Sequence, residues 1–191
     1  MSELLQTLKE MVKKDCQASA NRLDAAFYDL HLVPVEKHAL KLCRHVSADK
    51  ELVSLAAYLH DLAVIRDYSC LAAHHLAGAE LAGELLKNNL PAHKLAVLQE
   101  AISNHNLPCN NASGESLALS NADAMSKLDA PFFWIAYAYK HKFQNFSASV
   151  HWYRELVTST YAMLIDSAQA MIKDKYEVVL NFIENEVSAP S

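Results

Sequence analysis

The chain has 191 residues, 52% hydrophobic and 20% charged, with a formal net charge of -5; at this length one hydrophobic core is still growing, and there is enough apolar side chain to fill it. Wholesale disorder is therefore excluded, and the acidic balance argues against DNA, RNA or anionic lipid as partners, because these reward clustered Lys and Arg. A small soluble substrate fits better; if it carries phosphates, an acidic protein needs a local positive centre to attract it, and a bound divalent metal can supply one.

Three glycines and five prolines are too few for a protein of many turns and short strands, so the expected fold class is all-α. Leu4, Leu5, Leu8, Met11 and Val12 recur at spacings of three and four, which predicts one amphipathic helix or two short ones over residues 3 to 28. The amino-terminal residues lack a basic region followed by a long apolar run, and no later segment stays uncharged and apolar for a membrane span. The expectation is a cytoplasmic protein with no export signal and no anchor. Pro34 suits the first turn of the next helix, which carries His38 and Leu42 on one face.

A third helix is predicted over residues 49 to 63, where Leu52, Val53, Leu55, Ala56, Leu59 and Leu62 are apolar through most of the circumference, as in a buried helix. A short loop through Arg66 and Asp67 leads to a helix beginning near His74. Asn88-Asn89 closes that helix, and Pro91 opens another that ends near His105. Residues 106 to 114, with Pro108, Asn110, Asn111, Ser113 and Gly114, read as a connecting loop. A helix over residues 115 to 130 follows, then an aromatic-rich one from Pro131, and then one or two long helices over residues 147 to 186. Cys16, Cys43, Cys70 and Cys109 form no Cys-x-x-Cys pair, so neither a zinc ribbon nor a thioredoxin-like site is indicated and reduced thiols are expected.

The chemistry is expected where polar residues interrupt apolar helices, in a chain with ten histidines. His60-Asp61 ends the apolar run Ala56-Ala57-Tyr58-Leu59, where an unpaired carboxylate would cost several kcal/mol. A metal cation would offset that cost, since imidazole nitrogen and carboxylate oxygen form a common ligand set; an N–H donor or an Arg partner for Asp61 is the alternative. His38 precedes this pair, His74 and His75 follow it, His105 closes the helix Glu100 to Asn104, and Asp123 lies within Asn121-Ala122-Asp123-Ala124-Met125. His31, His45, His93, His141 and His151 read as surface or capping residues.

This order, with Leu59-His60-Asp61-Leu62, His74-His75-Leu76-Ala77-Gly78, His105 after Ala101-Ile102, and Asn121-Ala122-Asp123, resembles the HD superfamily of metal-dependent phosphohydrolases. The pattern there is H … HD … H … H … D on a helical bundle. The resemblance covers residues 31 to 130 and says nothing of residues 1 to 30 or 131 to 191; with the length favouring one domain, the expectation is a single HD-type helical domain over 1 to 191, with a C-terminal helical extension over 131 to 187. It implies that His38, His60, Asp61 and Asp123 hold one metal, that Asp61 bridges to a second held by His74 and His105, and that a bridging water is the nucleophile. The cofactor would be one or two divalent ions per chain among Mn, Fe, Mg, Co, Ni and Zn. The substrate would be a small phosphorylated molecule, a phosphomonoester or nucleotide, cleaved by water whose pKa the cations lower.

His75 is the alternative to His74, because adjacent helical residues point about a third of a turn apart. After the His-Asp pair many relatives carry a polar residue, whereas here Leu62-Ala63-Val64-Ile65 is apolar. Asp61 is thus the central catalytic candidate, with Arg66, the nearest cation, and Lys127, four residues after Asp123, as candidate phosphate contacts. Phe132, Phe133, Trp134, Tyr137 and Tyr139 could form a stacking wall for a nucleobase, although core packing accounts for them more simply. Two other functions share the constellation: a di-iron oxygenase of the same fold, and a regulatory domain that binds metal or nucleotide without turnover. The C-terminal helices are candidates for pairing into a homodimer.

Overall fold

The computed structural model describes residues 2 to 106 and 112 to 187, with side chains described as far as 184. Cys109 and most of the expected loop over 106 to 114 lie outside the described residues. Every regular element among those described is helical. Among the described residues no helix is long and apolar enough to cross a membrane.

The first helix, α1 (Glu3–Gln17), is capped by Ser2, whose side chain accepts from Leu5 N–H, and it buries Leu5, Leu8, Val12 and Cys16. It stops well short of residue 28. The chain then turns and re-enters helical geometry through a wide π-turn, Tyr28–Leu32, that runs directly into α2 (Val33–Val46). Pro34 sits in the first turn of α2 as expected, but the chain ahead of it is already helical. The Val33 N–H reaches back five residues to Tyr28 O, and a wide turn of this kind shifts the helical phase.

The helix expected over 49 to 63 is two helices with a break between them: α3 (Lys50–Leu59), capped by Asp49, and α4 (Leu62–Arg66). The break falls on His60-Asp61, and Asp61 takes φ -107°, ψ 5°, between the regular helical and extended regions. A 3-10 segment, Tyr68–Ala73, leads to α5 (His74–Leu86), followed by α6 (Ala92–Ser103) and α7 (Gly114–Ser126). The C-terminal part holds α8 (Pro131–Ala138), a second π-turn at Tyr139–Phe143, α9 (Phe146–Met163) and α10 (Asp166–Val187).

One core cluster runs through these helices, from Leu5 and Val12 in α1 to Val179 and Ile183 in α10. Helices α2 and α7 form its spine and run antiparallel: a Cβ on Gly114 would lie 2.3 Å from Val46 O, while Ser126 at the other end meets His31. Polar side chains tie the outer helices to this spine. Glu36 in α2 accepts from Lys9 of α1 and from Tyr58 of α3, each at 2.8 Å. Buried Asn121 in α7 accepts from Ile165 N–H at 2.9 Å and so fixes the turn between α9 and α10. Cys16 and Cys43 are buried, Cys70 is half-buried, and all three are free.

Candidate metal centre

Five separate segments deliver side chains to one buried point. The π-turn brings His31, the α3–α4 break brings His60 and Asp61, the first residue of α5 is His74, the chain just after α6 brings His105, and α7 brings Asp123. Gly78 is what allows α5 to approach: a Cβ there would stand 2.6 Å from His60 O, so only a residue without one lets the helix carrying His74 lie against the His60-Asp61 break.

Each imidazole is held by its Nδ1. The Nδ1–H of His60 donates to Ala57 O at 2.9 Å, that of His74 to Leu71 O at 2.9 Å, and that of His105 to Ile102 O at 2.7 Å. A carbonyl can only accept, so these three rings carry their hydrogen on Nδ1. In His31, Nδ1 lies 2.9 Å from Ser126 Oγ, whose own hydrogen goes to Asp123 O at 2.7 Å; the hydroxyl therefore accepts from His31 too. The Nε2 lone pairs of all four rings are left to converge. Those of His31 and His60 are 3.3 Å apart and those of His74 and His105 are 3.0 Å apart.

Lone pairs facing one another at such distances repel unless a cation lies between them, and an imidazole pinned at Nδ1 is the usual arrangement of a metal-ligating histidine. The carboxylates complete the set. Asp61 Oδ2 lies 3.1 Å from His60 Nε2 and 3.4 Å from His31 Nε2, while its other oxygen, Oδ1, lies 3.6 Å from His74 Nε2. Asp123 Oδ1 is 3.4 Å from His31 Nε2. Two donor groups result, His31/His60/Asp61 and Asp61/His74/His105, each with its atoms within 4.8 Å of one another. The donor chemistry fits a divalent cation in either group, with one Asp61 oxygen offered to each.

The local charges follow from this crowding. Burial alone would push the Asp61 carboxyl up, but His60 and His31 outweigh it and hold it well below the usual range. Asp123 behaves alike: burial works against ionisation and the Lys127 ammonium, followed by His31, more than offsets it. Burial would also disfavour protonation of His60, yet the Asp61 charge raises its pKa. His31 is lowered by burial, and His105 is pushed down to about 4 by burial and then by the His60 charge.

Two sequence expectations are corrected here. His38 is buried but does not join the cluster: its Nε2 meets Asp129 Oδ2 at 2.6 Å, and Lys175 from α10 takes the other Asp129 oxygen. His31, expected at the surface, stands in its place with 1% exposure. In an uninterrupted helix residues seven apart share a face, so the π-turn between the two histidines is what separates their directions. Leu30 and Leu32, on either side of His31, parallel Leu59 and Leu62 on either side of the His60-Asp61 pair and were the available signal. Arg66 is the second correction, since it pairs with Asp15 at 2.7 Å and points its guanidinium toward α1.

Lys127 is at the centre, its Nζ 2.8 Å from Asp123 Oδ2. His74 and His75 part ways as well: His74 Nε2 meets His105, whereas His75 belongs to neither donor group. The cluster opens into a cavity of about 300 Å³ walled by Phe27, Trp134, Tyr137 and Trp152, with Lys127 and Lys142 also lining it. Trp134 and Tyr137 are thus the members of the expected aromatic wall that face the cavity. Phe132 is instead exposed and meets Phe182 edge-on, with ring centroids 5.7 Å apart.

Comparison with known proteins places these observations. The family model described as HD domain matches residues 28–130. No curated protein matches the sequence. Among solved structures, a predicted HD superfamily hydrolase from an uncultured Thermotogales bacterium is similar over 96% of this chain and 91% of its own, at 20% identity and a TM-score of 0.64. A Lactobacillus plantarum protein is similar over 96% of this chain and 95% of its own, at 16% identity and a TM-score of 0.68. At such identities the likeness is one of fold.

Proposed function

Because the chain belongs to the HD-domain family, we propose that it is a metal-dependent phosphohydrolase acting on a phosphomonoester or nucleotide. The observation that carries this reading is the set of four imidazoles, each fixed through Nδ1, whose free Nε2 atoms converge with two carboxylates. His31, His60, Asp61 and Asp123 would hold one cation and His74 and His105 a second, with Asp61 shared. When bound, such ions lower the pKa of water and neutralise charge that builds up on phosphoryl oxygens.

The remaining roles fall to side chains already in place. The carbonyls of Ala57, Leu71 and Ile102 and the Ser126 hydroxyl keep the ring orientations from relaxing, so the donor geometry exists before any ligand arrives. Lys127 lines the cavity beside Asp123, where its ammonium can meet a phosphate oxygen as a point charge. Phe27, Trp134 and Leu156 supply an apolar wall that thins the water around the ester and strengthens each of these interactions.

The test is metal content per chain on protein purified without added metal, with hydrolysis of a phosphomonoester and nucleotide panel in Mn, Mg, Co and Ni, for wild type and Asp61→Ala. Stoichiometric metal with turnover that the variant lacks upholds the proposal. Metal without turnover moves the reading to oxygen-dependent chemistry or ligand sensing, and absence of metal overturns it.

A further inference from the structure

The proposed reaction accounts for the donor cluster, Lys127 and the apolar side chains beside them, and leaves the part of the cavity wall around Tyr137, Trp152 and Lys142 without a role. Both tryptophans of the chain, Trp134 and Trp152, line that wall with Tyr137. Lys142, from the π-turn after α8, lies over the Trp152 ring with Nζ 5.1 Å from its centroid. The carboxylates lining the cavity are Asp61 and Asp123, both committed to the donor cluster. Lys127 is paired with Asp123, but no carboxylate pairs with Lys142 among the described residues.

A further cation flanks this wall: the Arg22 guanidinium lies 5.4 Å from the Tyr68 ring centre. The His141 ring is tilted against Tyr137 at 4.9 Å and against Tyr68 at 5.4 Å between centroids. Burial, followed by the Lys140 and Arg22 charges, makes His141 harder to protonate, so the positive charge here is that of Lys142, Lys140 and Arg22. In a chain of net charge -5, a cationic rim interleaved with aromatic faces is a local reversal of sign that attracts anions bearing planar rings.

We propose that the substrate carries, besides the phosphate that is cleaved, a planar ring system and a second anionic group, and that Lys142 is the specificity-determining contact for that second group. The ring would lie along Trp134, Tyr137 and Trp152 while the outer anion meets the Lys142 ammonium. A nucleotide with an additional phosphate has this chemistry; a simple phosphomonoester lacks it. The inference rests on the phosphate-ester reading of the inner cluster for the placement of the first group, but ligand selectivity can be measured without turnover.

The probes are adenosine 5′-monophosphate and adenosine 3′,5′-bisphosphate, titrated into the full chain as purified while tryptophan fluorescence is followed, since both indoles line the cavity. Wild type should bind the bisphosphate about tenfold more tightly, the gain typical of one added charge-assisted contact. In Lys142→Gln that ratio should fall to about one, Lys142→Arg should restore most of it, and Lys140→Gln should keep it. Equal affinity of wild type for the two probes, no fluorescence response to either, or equal loss of selectivity in Lys140→Gln and Lys142→Gln would each overturn the proposal. Hydrolysis is scored in parallel: selective binding without cleavage sinks the phosphohydrolase reading and leaves the Lys142 assignment standing.

Discussion

Gly78→Ala tests whether the close approach of α5 to the His60-Asp61 break is what assembles the second donor group. The added Cβ would stand 2.6 Å from His60 O, about 0.8 Å inside the 3.4 Å where ordinary contact begins, and the obstructing atom is backbone that cannot rotate away. Overpacking of this kind costs about 1–3 kcal/mol, which for a chain of this size lowers Tm by roughly 2–12 °C. The displacement also has a direction. His74 lies four residues before Gly78, one turn along the same helix, so moving α5 outward carries its Nε2 away from His105, now 3.0 Å distant, and from Asp61 Oδ1, now 3.6 Å distant. His31, His60 and Asp123 do not lie on α5 and should keep their geometry. Isothermal titration with Mn or Co should therefore find the His74/His105 group weakened by at least about tenfold, as for loss of support around a metal ligand, with the His31/His60 group nearly intact. A variant with wild-type Tm and an unchanged titration would refute the reasoning.

Substituting the two competing histidines should separate their roles. His31→Ala is expected to remove metal from the His31/His60/Asp61 group, whereas His38→Ala should retain metal but leave Asp129 short of a buried partner, at a cost of about 1–3 kcal/mol in urea unfolding; metal lost in His38→Ala and kept in His31→Ala would restore His38 as the ligand. For the metal-free chain, His105 has a folded pKa of about 4 against an ordinary 6.5. Its neutral burial therefore contributes stability that is fully present above pH 6.5 and is lost as pH falls toward 4, about 3 kcal/mol over that window. Urea midpoints between pH 7 and 4 should fall less steeply in His105→Asn, and parallel slopes would count against the assignment. Burial, then the Asp15 charge, pushes the Cys16 thiol up to about 12, so iodoacetamide at pH 8 should spare Cys16 in the native chain and modify half-buried Cys70. Peptide mapping by mass spectrometry reads this directly, and early labelling of Cys16 would contradict the structure.

Much of the architecture is carried by local patterns whose physics is local. Sparse Gly and Pro, apolar residues at helical spacing, and Ser2, Asp49, Ser113 and Asn145 as capping side chains specify helices without reference to the rest of the chain. The order His60-Asp61, His74, His105, Asp123 could be read in the same way, because each residue is a polar interruption in an apolar run and burying it requires a partner. What tertiary structure alone decided is direction. A wide turn at Tyr28–Leu32 aims His31 inward and sends His38 to Asp129, although sequence spacing puts the two on one face. A break inside an apparently continuous apolar helix lets His60 and Asp61 face one centre together. Arg66, near the cluster in sequence, is drawn to Asp15, a residue 51 positions away in the chain. Periodicity reports which residues are buried, but the phase of a helix across a π-turn and the choice among ion-pair partners depend on contacts between distant segments, and those contacts exist only once the helices have packed.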